Sequence, residues 1–543
     1  MLVKKVCHAK HLSRRLRFMN LPIHAIDLGI IVAYFAAIVV IGVYVARRTH
    51  GGEDLFLAGR RLVWPVIGFS LFASNISSTT LVGLAGNAYR YGVAVSAFEW
   101  GTSIVLVVMM FVLIPFYLKS RISTVPEFLE KRYGSQARKY FSALNIFLSL
   151  VVDTAGSLFA GAMVLQVFFP GLDIWTTCIV LALLAGIYTA AGGLAAVVFT
   201  DVIQGVILLV GTAILAVICF GEFGYSWSAV TEGVMASPRY NDHLSMIRPA
   251  NDPHLPWPGM FTGVLLLGFY YWSMNQYIVQ RVLGARNVEH AQRGALLAGF
   301  LKLSPLFIMV LPGVMAVVLL PDLTDPDQVF PTLVREYLPV GVLGLVMAGL
   351  IAAIMSSIDS TLNSASTLVT LDFVQAHRGK MTDREMAKVG RICTFIFMII
   401  SALWAPMIQY FEGLFDYLQQ ILTFAVPPVI ILFVMGVFTG RGGARTGLLT
   451  LACTHLVSLL FFVLQATGVF EIHFTYMAVL LTLVSAVIFW IVSGLETAPA
   501  PERLKDLTWK ARVPTPKAPW FADARVLAAL LLALTAVSIL LFV

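Results

Sequence analysis

Six ionisable side chains lie inside long apolar stretches of this 543-residue sequence: Glu99, Asp153, Asp201, Lys302, Asp359 and Asp416. Such groups are costly in an apolar environment, so they face a partner or a polar cavity and are candidates for function. Glu99 and Lys302 are interpreted either as an ion pair that joins two helices or as contacts to a polar ligand, and the ligand pocket is favoured. Aromatic residues beside Glu99 and in FYYWSMNQ (269–276) suit a flat, polyhydroxylated ring such as a sugar.

Two further stretches are rich in neutral oxygen atoms. SLFASNISSTT (70–80) interrupts an apolar run with Ser, Thr and Asn, and AAIMSSIDSTLNSAST (352–367) carries hydroxyls at helical spacing. A helix broken within a membrane frees backbone carbonyls, which suit a hard cation such as Na⁺. Small residues also permit close helix packing, and serine hydroxyls bond to their own helix. Both interpretations stay open, and the broken run favours the ion site.

The elements that would position these residues are membrane-spanning helices. The chain is 59% apolar and 12% charged, against roughly 25% charged in soluble domains, and its mean hydropathy is +0.86. The apolar runs are too long for the strands of an outer-membrane barrel, so the sequence predicts an all-α polytopic membrane protein. Fourteen spans are predicted, near 25–46, 65–90, 94–118, 140–168, 174–191, 200–220, 259–283, 292–320, 340–373, 390–410, 411–437, 443–468, 473–493 and 526–543.

The distribution of Lys and Arg predicts the orientation. These residues concentrate in the odd-numbered connections between spans, and Arg281 is counted among them. This distribution places those connections in the cytoplasm and both termini outside. The net charge of +8 therefore reflects cytoplasmic loops, and no nucleic-acid partner is expected. The basic arm 1–24 disagrees with this orientation; a true start at Met19 would remove the conflict and is the favoured alternative. Five scattered cysteines indicate neither disulfides nor a metal site.

Several segments resemble the sodium:solute symporter family, most closely its sodium/glucose cotransporter branch. They are FLAGRRLVWPVIGFSLFASNISSTTLVGLAGNAYRYGVAVSAFEW (56–100), YTAAGGLAAVVFTDVIQ (188–204), LPWPGMFTG (255–263), NQYIVQRVLGARN (275–287) and IMSSIDSTLNSASTLVTLD (354–372). The resemblance spans roughly residues 20–440 and implies the leucine-transporter type of fold. Its two inverted five-helix repeats would cover 65–220 and 259–437, with flanking helices at 25–46 and within 443–543. The first helix of each repeat would be broken, in FASNISS (72–78) and in GFYYW (268–272).

The same resemblance implies the site residues. Na⁺ would be held by oxygens of Ala73, Ile76, Ala353, Ser356 and Ser357. The solute would contact Asn75, Thr80, Glu99, Thr102, Asn275, Lys302 and Gln419, with Phe98, Tyr271 and Trp272 gating or stacking. Thr80 is shorter than the His or Gln usual in sugar-carrying relatives, which puts the exact sugar in question. Asp201 and Asp359 are candidates for a second cation or a proton; Asp201 is equally interpreted as a helix N-cap.

The function implied is sodium-coupled import of a glucose- or galactose-like hexose by alternating access in the plasma or inner cell membrane. Alternatives are a sodium- or proton-coupled symporter for myo-inositol, an amino acid, a carboxylate or a vitamin. A solute sensor or channel on the same scaffold is the alternative from another class. Dispersed carboxylates without a paired catalytic motif argue against an enzyme. The sequence leaves the oligomeric state open.

Overall fold

A computed structural model describes residues 23–46, 58–189, 194–240, 242–379, 381–411, 413–504, 507–509 and 519–543. The described residues form helices and the connections between them, apart from one isolated parallel bridge between Leu62 and Ala285. The prediction of an all-α chain is therefore confirmed. Most of the basic arm, including Met19, lies outside the described residues, so the alternative start stays a prediction.

The described residues up to Met235 form eleven α-helices. They are α1 (Ala25–Ala46), α2 (Trp64–Asn75), α3 (Ser78–Tyr91), α4 (Ala97–Val112), α5 (Ile114–Ser120), α6 (Val125–Tyr133), α7 (Ser135–Leu148), α8 (Ala155–Phe168), α9 (Ile174–Thr189), α10 (Leu194–Gly221) and α11 (Trp227–Met235). A π-helical turn, Ser149–Thr154, joins α7 to α8 without ending the rod. Such turns accommodate an extra residue and often mark functional sites.

The described residues after Met235 form twelve further helices of eight or more residues. They are α12 (Gly263–Ser273), α13 (Gln276–Leu283), α14 (Val288–Leu301), α15 (Leu311–Leu319), α16 (Val329–Tyr337), α17 (Val342–Leu368), α18 (Asp383–Trp404), α19 (Leu414–Ala425), α20 (Pro427–Phe438), α21 (Ala444–Ala466), α22 (Phe474–Gly494) and α23 (Ala524–Leu540). Eight rods among the described residues are long and apolar enough to cross a membrane, and the bent pair α19–α20 makes nine. Helices shortened by breaks fall below that length, so the count of fourteen stays a prediction.

The first break lies within the predicted segment FASNISS. Helix α2 ends at Asn75, where the Ile76 N–H still donates to the Phe72 carbonyl, and α3 begins at Ser78. The last carbonyls of a helix have no partner within it, and they carry the negative end of its dipole. The break therefore presents oxygen atoms inside the molecule.

The second break lies later than predicted. The segment GFYYW remains helical in α12, which ends at Ser273, and α13 begins at Gln276. Asn275 decides this position because its side-chain oxygen accepts from the Tyr277 N–H and so caps α13. The prediction that GFYYW itself is broken was wrong by a few residues.

Helices α2 and α14 pack very closely. A Cβ on Gly294 would lie 2.6 Å from the Ile67 side chain, and a Cβ on Gly68 would lie 2.6 Å from Leu297. Only glycine leaves room for this approach, because larger side chains would push the two backbones apart. The contact brings Lys302, directly after α14, to the end of α2.

Candidate solute and sodium site

A cavity of about 120 Å³ lies between the two breaks. Its wall contains nine of the ten residues predicted to contact the solute: Asn75, Thr80, Phe98, Glu99, Thr102, Tyr271, Trp272, Asn275 and Gln419. They come from α2, α3, α4, α12, α19 and the second break, which are distant in sequence. The cavity combines aromatic faces with hydroxyl, amide and carboxylate groups, as expected of a small-molecule site.

The tenth residue, Lys302, lies behind the wall and does not line the cavity. Its ammonium forms an ion pair with the Glu99 carboxylate and donates a hydrogen bond to the Asn75 side-chain oxygen. The Lys302 side chain is fully buried, so both partners are held by a charge that has no access to solvent. The ion pair that joins two helices is thus present, and it orients two groups that do line the cavity.

The aromatic wall is held by its own hydrogen bonds. The Trp272 indole N–H donates to the Thr102 hydroxyl at 3.0 Å, and that hydroxyl donates to the Phe98 carbonyl at 3.0 Å. Phe98 also packs edge-to-face on Phe415, with ring centroids 4.7 Å apart. Tyr271 is fixed by a hydrogen bond between its hydroxyl and that of Tyr277. The rings therefore form a preorganised surface that costs little entropy when a flat ring binds.

Thr80 serves the first break as well as the cavity. Its hydroxyl donates to the backbone carbonyl of Asn75 at 2.5 Å, across the break. One freed carbonyl is thereby satisfied, and the hydroxyl proton is committed to the backbone. Thr80 can then offer only an acceptor to a bound solute.

The predicted sodium ligands lie on α2 and α17. Ala73 and Ile76 stand at the end of α2, while Ala353, Ser356 and Ser357 lie buried on α17. The donor set of backbone carbonyls and hydroxyls consists of hard neutral oxygens, which fits Na⁺. Ser357 also lines the cavity, so the candidate ion site adjoins the candidate solute site.

Asp201 is paired with an arginine and is not a helix N-cap. It lies within α10, fully buried, and accepts from the Arg281 guanidinium at 2.9 Å and from the Ser70 hydroxyl at 2.8 Å. The Ser356 hydroxyl donates to its other oxygen. The N-cap interpretation was therefore wrong: α10 begins at Leu194, so Asp201 lies two turns into the helix.

Two residues of this region were missed or misplaced by sequence reasoning. Arg281 was counted among cytoplasmic loop residues, whereas it is 1% exposed and also donates to Ser70 and Ser360. Asp153 was noted as an ionisable group in an apolar run but received no role, and it lines the cavity. The signal for Arg281 was Asp201 itself, because a carboxylate within an apolar run is costly and a cation is the partner that compensates it most strongly. Asp359 is buried one turn from Ser356, and a second cation site there stays a prediction.

Comparisons with known proteins identify the family. A model of the sodium:solute symporter family matches residues 55–453. Sodium/glucose cotransporter 4 of Danio rerio is 34% identical to this chain, over 90% of this chain and 82% of the relative. Sodium/myo-inositol cotransporter 2 of Mus musculus is also 34% identical, over 90% of this chain and 79% of the relative.

Solved structures agree on the fold. A substrate-bound, outward-open Na⁺-coupled sialic acid symporter matches with a TM-score of 0.76 at 23% identity, over 88% of this chain and 99% of that one. Mhp1, a nucleobase-cation-symport-1 family transporter, matches with a TM-score of 0.54 at 13% identity, over 84% of this chain and 98% of that one. The expected leucine-transporter type of fold is thus confirmed. The chain belongs to the sodium:solute symporter family, so it is a multi-pass membrane transporter and not an enzyme, and its coupling ion is Na⁺.

Proposed function

We propose that this symporter imports a hexose such as glucose or galactose, or a closely related polyol, through the cavity between the two breaks. One observation carries the proposal: aromatic faces and polar groups from both breaks line a single cavity. Sugars present flat apolar faces edged by hydroxyls, so stacking rings and convergent donors and acceptors suit them. Asn75, Glu99, Asn275 and Gln419 supply those polar groups.

We further propose that Na⁺ binds between α2 and α17, at oxygens of Ala73, Ile76, Ala353, Ser356 and Ser357. An ion held there would tie the end of α2 to α17 and hold the first break in one conformation. Asn75 lies at that break and lines the cavity, so ion binding would order part of the solute site. By linkage, the solute raises the affinity for Na⁺ by the same factor.

Alternating access then moves both ligands inward. Each half of a broken helix can tilt separately, because the break removes the hydrogen bonds that would make it one rod. We place both termini outside and the protein in the cell membrane, on the distribution of Lys and Arg in the sequence. Loss of Na⁺ to a sodium-poor cytoplasm makes the cycle directional.

myo-Inositol is the second candidate. A sodium/myo-inositol cotransporter and a sodium/glucose cotransporter are equally similar to this chain, at 34% identity. Both solutes are six-membered rings edged by hydroxyls, and the same stacking wall suits either. Thr80 is shorter than the side chain expected there in sugar-carrying relatives, which keeps myo-inositol as the competing solute.

The test is counterflow uptake in proteoliposomes that contain the purified full-length protein. Labelled glucose, galactose, myo-inositol and an amino acid panel are compared with and without a sodium gradient. We expect sodium-dependent uptake of a hexose or of myo-inositol. Uptake of another solute alone would overturn the substrate proposal.

A variant pair links the uptake to the cavity. Glu99→Gln removes the carboxylate charge at the wall and is expected to lower solute affinity at least about tenfold, since hydrogen bonds to charged groups are strong. The matched control is Glu289→Gln, because Glu289 lies in the first turn of α14 and its side chain is 44% exposed. Equal uptake by the two variants would remove Glu99 from the solute site.

A further inference from the structure

Asp153 is a carboxylate in the cavity wall that the proposed function does not yet use. It lies in the π-helical turn Ser149–Thr154 between α7 and α8. Its side chain accepts a hydrogen bond from the Asn275 side chain, at the second break. A carboxylate at this depth is costly, and such groups are retained where they bind something.

The charges around the cavity are unequal. Among the described residues that line it, Glu99 and Asp153 are the two carboxylates, and no Lys, Arg or His side chain lines the wall. The charge of Glu99 is met by Lys302 from behind. The hydrogen-bond partner of the Asp153 carboxylate is a neutral amide. An ionised Asp153 therefore gives its side of the wall an excess of negative charge.

We propose that Asp153 contacts the solute and selects it by charge. Its carboxylate accepts hydrogen bonds from hydroxyl or ammonium groups of a neutral or cationic polyol, and it repels solutes that carry a carboxylate. This inference rests on the proposed function, because it takes the cavity as the solute site. Repulsion between like charges about 4 Å apart in such surroundings should lower the affinity for an anionic solute at least about a hundredfold relative to a neutral one.

A purely positioning role is the competing explanation. The Asn275 side chain caps α13 through its oxygen and donates to Asp153 through its amide nitrogen. Loss of the Asp153 acceptor would loosen that cap and weaken the binding of every solute by the same factor. Only direct contact with the solute predicts that the preference between neutral and anionic solutes changes.

The experiment measures competition by glucose, glucosamine and glucuronate, which share one ring and differ in charge. Each competes with sodium-dependent uptake of the labelled hexose or inositol that the counterflow panel identifies. We expect glucuronate to compete at least about a hundredfold more weakly than glucose, and glucosamine to compete at least as well as glucose. Strong competition by glucuronate against the wild-type protein overturns the proposal.

Three variants separate contact from positioning. Asp153→Asn should weaken competition by glucose about tenfold. It should also reduce the preference for glucose over glucuronate by at least about tenfold, whereas Asp153→Glu should restore that preference. Asp173→Asn is the matched control, because Asp173 is exposed in the connection before α9. If Asp153→Asn weakens competition by glucose, glucosamine and glucuronate by the same factor, Asp153 is a positioning residue and the proposed contact with the solute is wrong.

The outcome can be told apart from failure of the proposed function. If no hexose or polyol is carried, the proposed function is wrong. The inference about Asp153 is then tested with neutral, cationic and anionic forms of the solute that is carried. A wild-type protein that carries an anionic solute overturns the inference about Asp153 whatever the scaffold of that solute. The wild-type series needs no variant, so the test stands even if Asp153→Asn fails to fold.

Discussion

Replacement of Arg281 by Met should destabilise the folded protein strongly, although the sequence suggests a cytoplasmic loop residue. Arg281 and Asp201 have side chains 1% and 0% exposed, and their nearest charged atoms are 2.9 Å apart. The guanidinium also donates to Ser70 and Ser360 and to the Tyr277 carbonyl. The pair thereby connects α2, α10, α13 and α17.

The size of the loss in unfolding free energy depends on the partners that the Asp201 carboxylate keeps after the substitution. Removing one partner of a buried ion pair costs about 3–5 kcal/mol, because the other charge stays buried without compensation. In Arg281→Met, hydroxyls of Ser70, Ser74 and Ser356 still reach the Asp201 carboxylate. We therefore expect Arg281→Met to lower the unfolding free energy by about 3 kcal/mol, near the lower end of that range. Asp201→Asn should cost a similar amount, because Arg281 is then left unpaired.

The assay is a double-mutant cycle read by unfolding in mixed micelles. The double variant Arg281→Met/Asp201→Asn removes both charges, so its loss should be at least about 2 kcal/mol smaller than the sum of the single losses. The control is Arg293→Met, because Arg293 pairs with Glu289 at the surface and should contribute under about 1 kcal/mol. Single losses below about 1 kcal/mol, or additivity within about 0.5 kcal/mol, would refute the reasoning.

Three further predictions concern the ion site, the first break and a buried carboxylate in a connection. Ser357→Ala should raise the Na⁺ concentration for half-maximal uptake about five- to tenfold, while Ser366→Ala, on the same helix, should not. Thr80→Val should lower the unfolding free energy by about 1 kcal/mol relative to Thr80→Ser, because it loses the bond to the Asn75 carbonyl; equal stabilities would contradict this. Burial raises the pKa of Asp327 from 3.8 to about 7, so its ionisation destabilises the folded state increasingly as pH rises from about 4 to 7. Asp327→Asn should therefore raise the unfolding midpoint above that of the wild type at about pH 8, and this rise should become smaller as the pH falls towards about 5. A rise that is the same at every pH would contradict the raised pKa of Asp327.

Much of the site could be predicted because its residues stand out locally. Polar residues within apolar runs are visible in any membrane sequence, and they pointed to the first break and to Glu99 and Lys302. The resemblance then supplied positions such as Gln419, which have no local signal. Nine of the ten predicted solute residues line one cavity. Their roles as ligands stay predictions.

The second break shows where local reasoning ends. A run of aromatic residues in GFYYW is compatible with either a helix or a break. Asn275 decides between them, because it caps α13 and donates to Asp153 on a distant helix. The cap itself is local, whereas the contact with Asp153 joins elements more than 100 residues apart in sequence, and no local pattern contains it.

The sequence by itself determined that this chain is a helical membrane protein, that its first core helix is interrupted, and which family it resembles. Those properties follow from hydropathy, from the types of residues at one place, and from motif order. Tertiary structure alone decided which charges meet. It placed Arg281 against Asp201, Lys302 behind the wall and Asp153 in it. The physical reason is that the cost of a buried charge depends on its partner, and the partners stand on helices that only packing brings together.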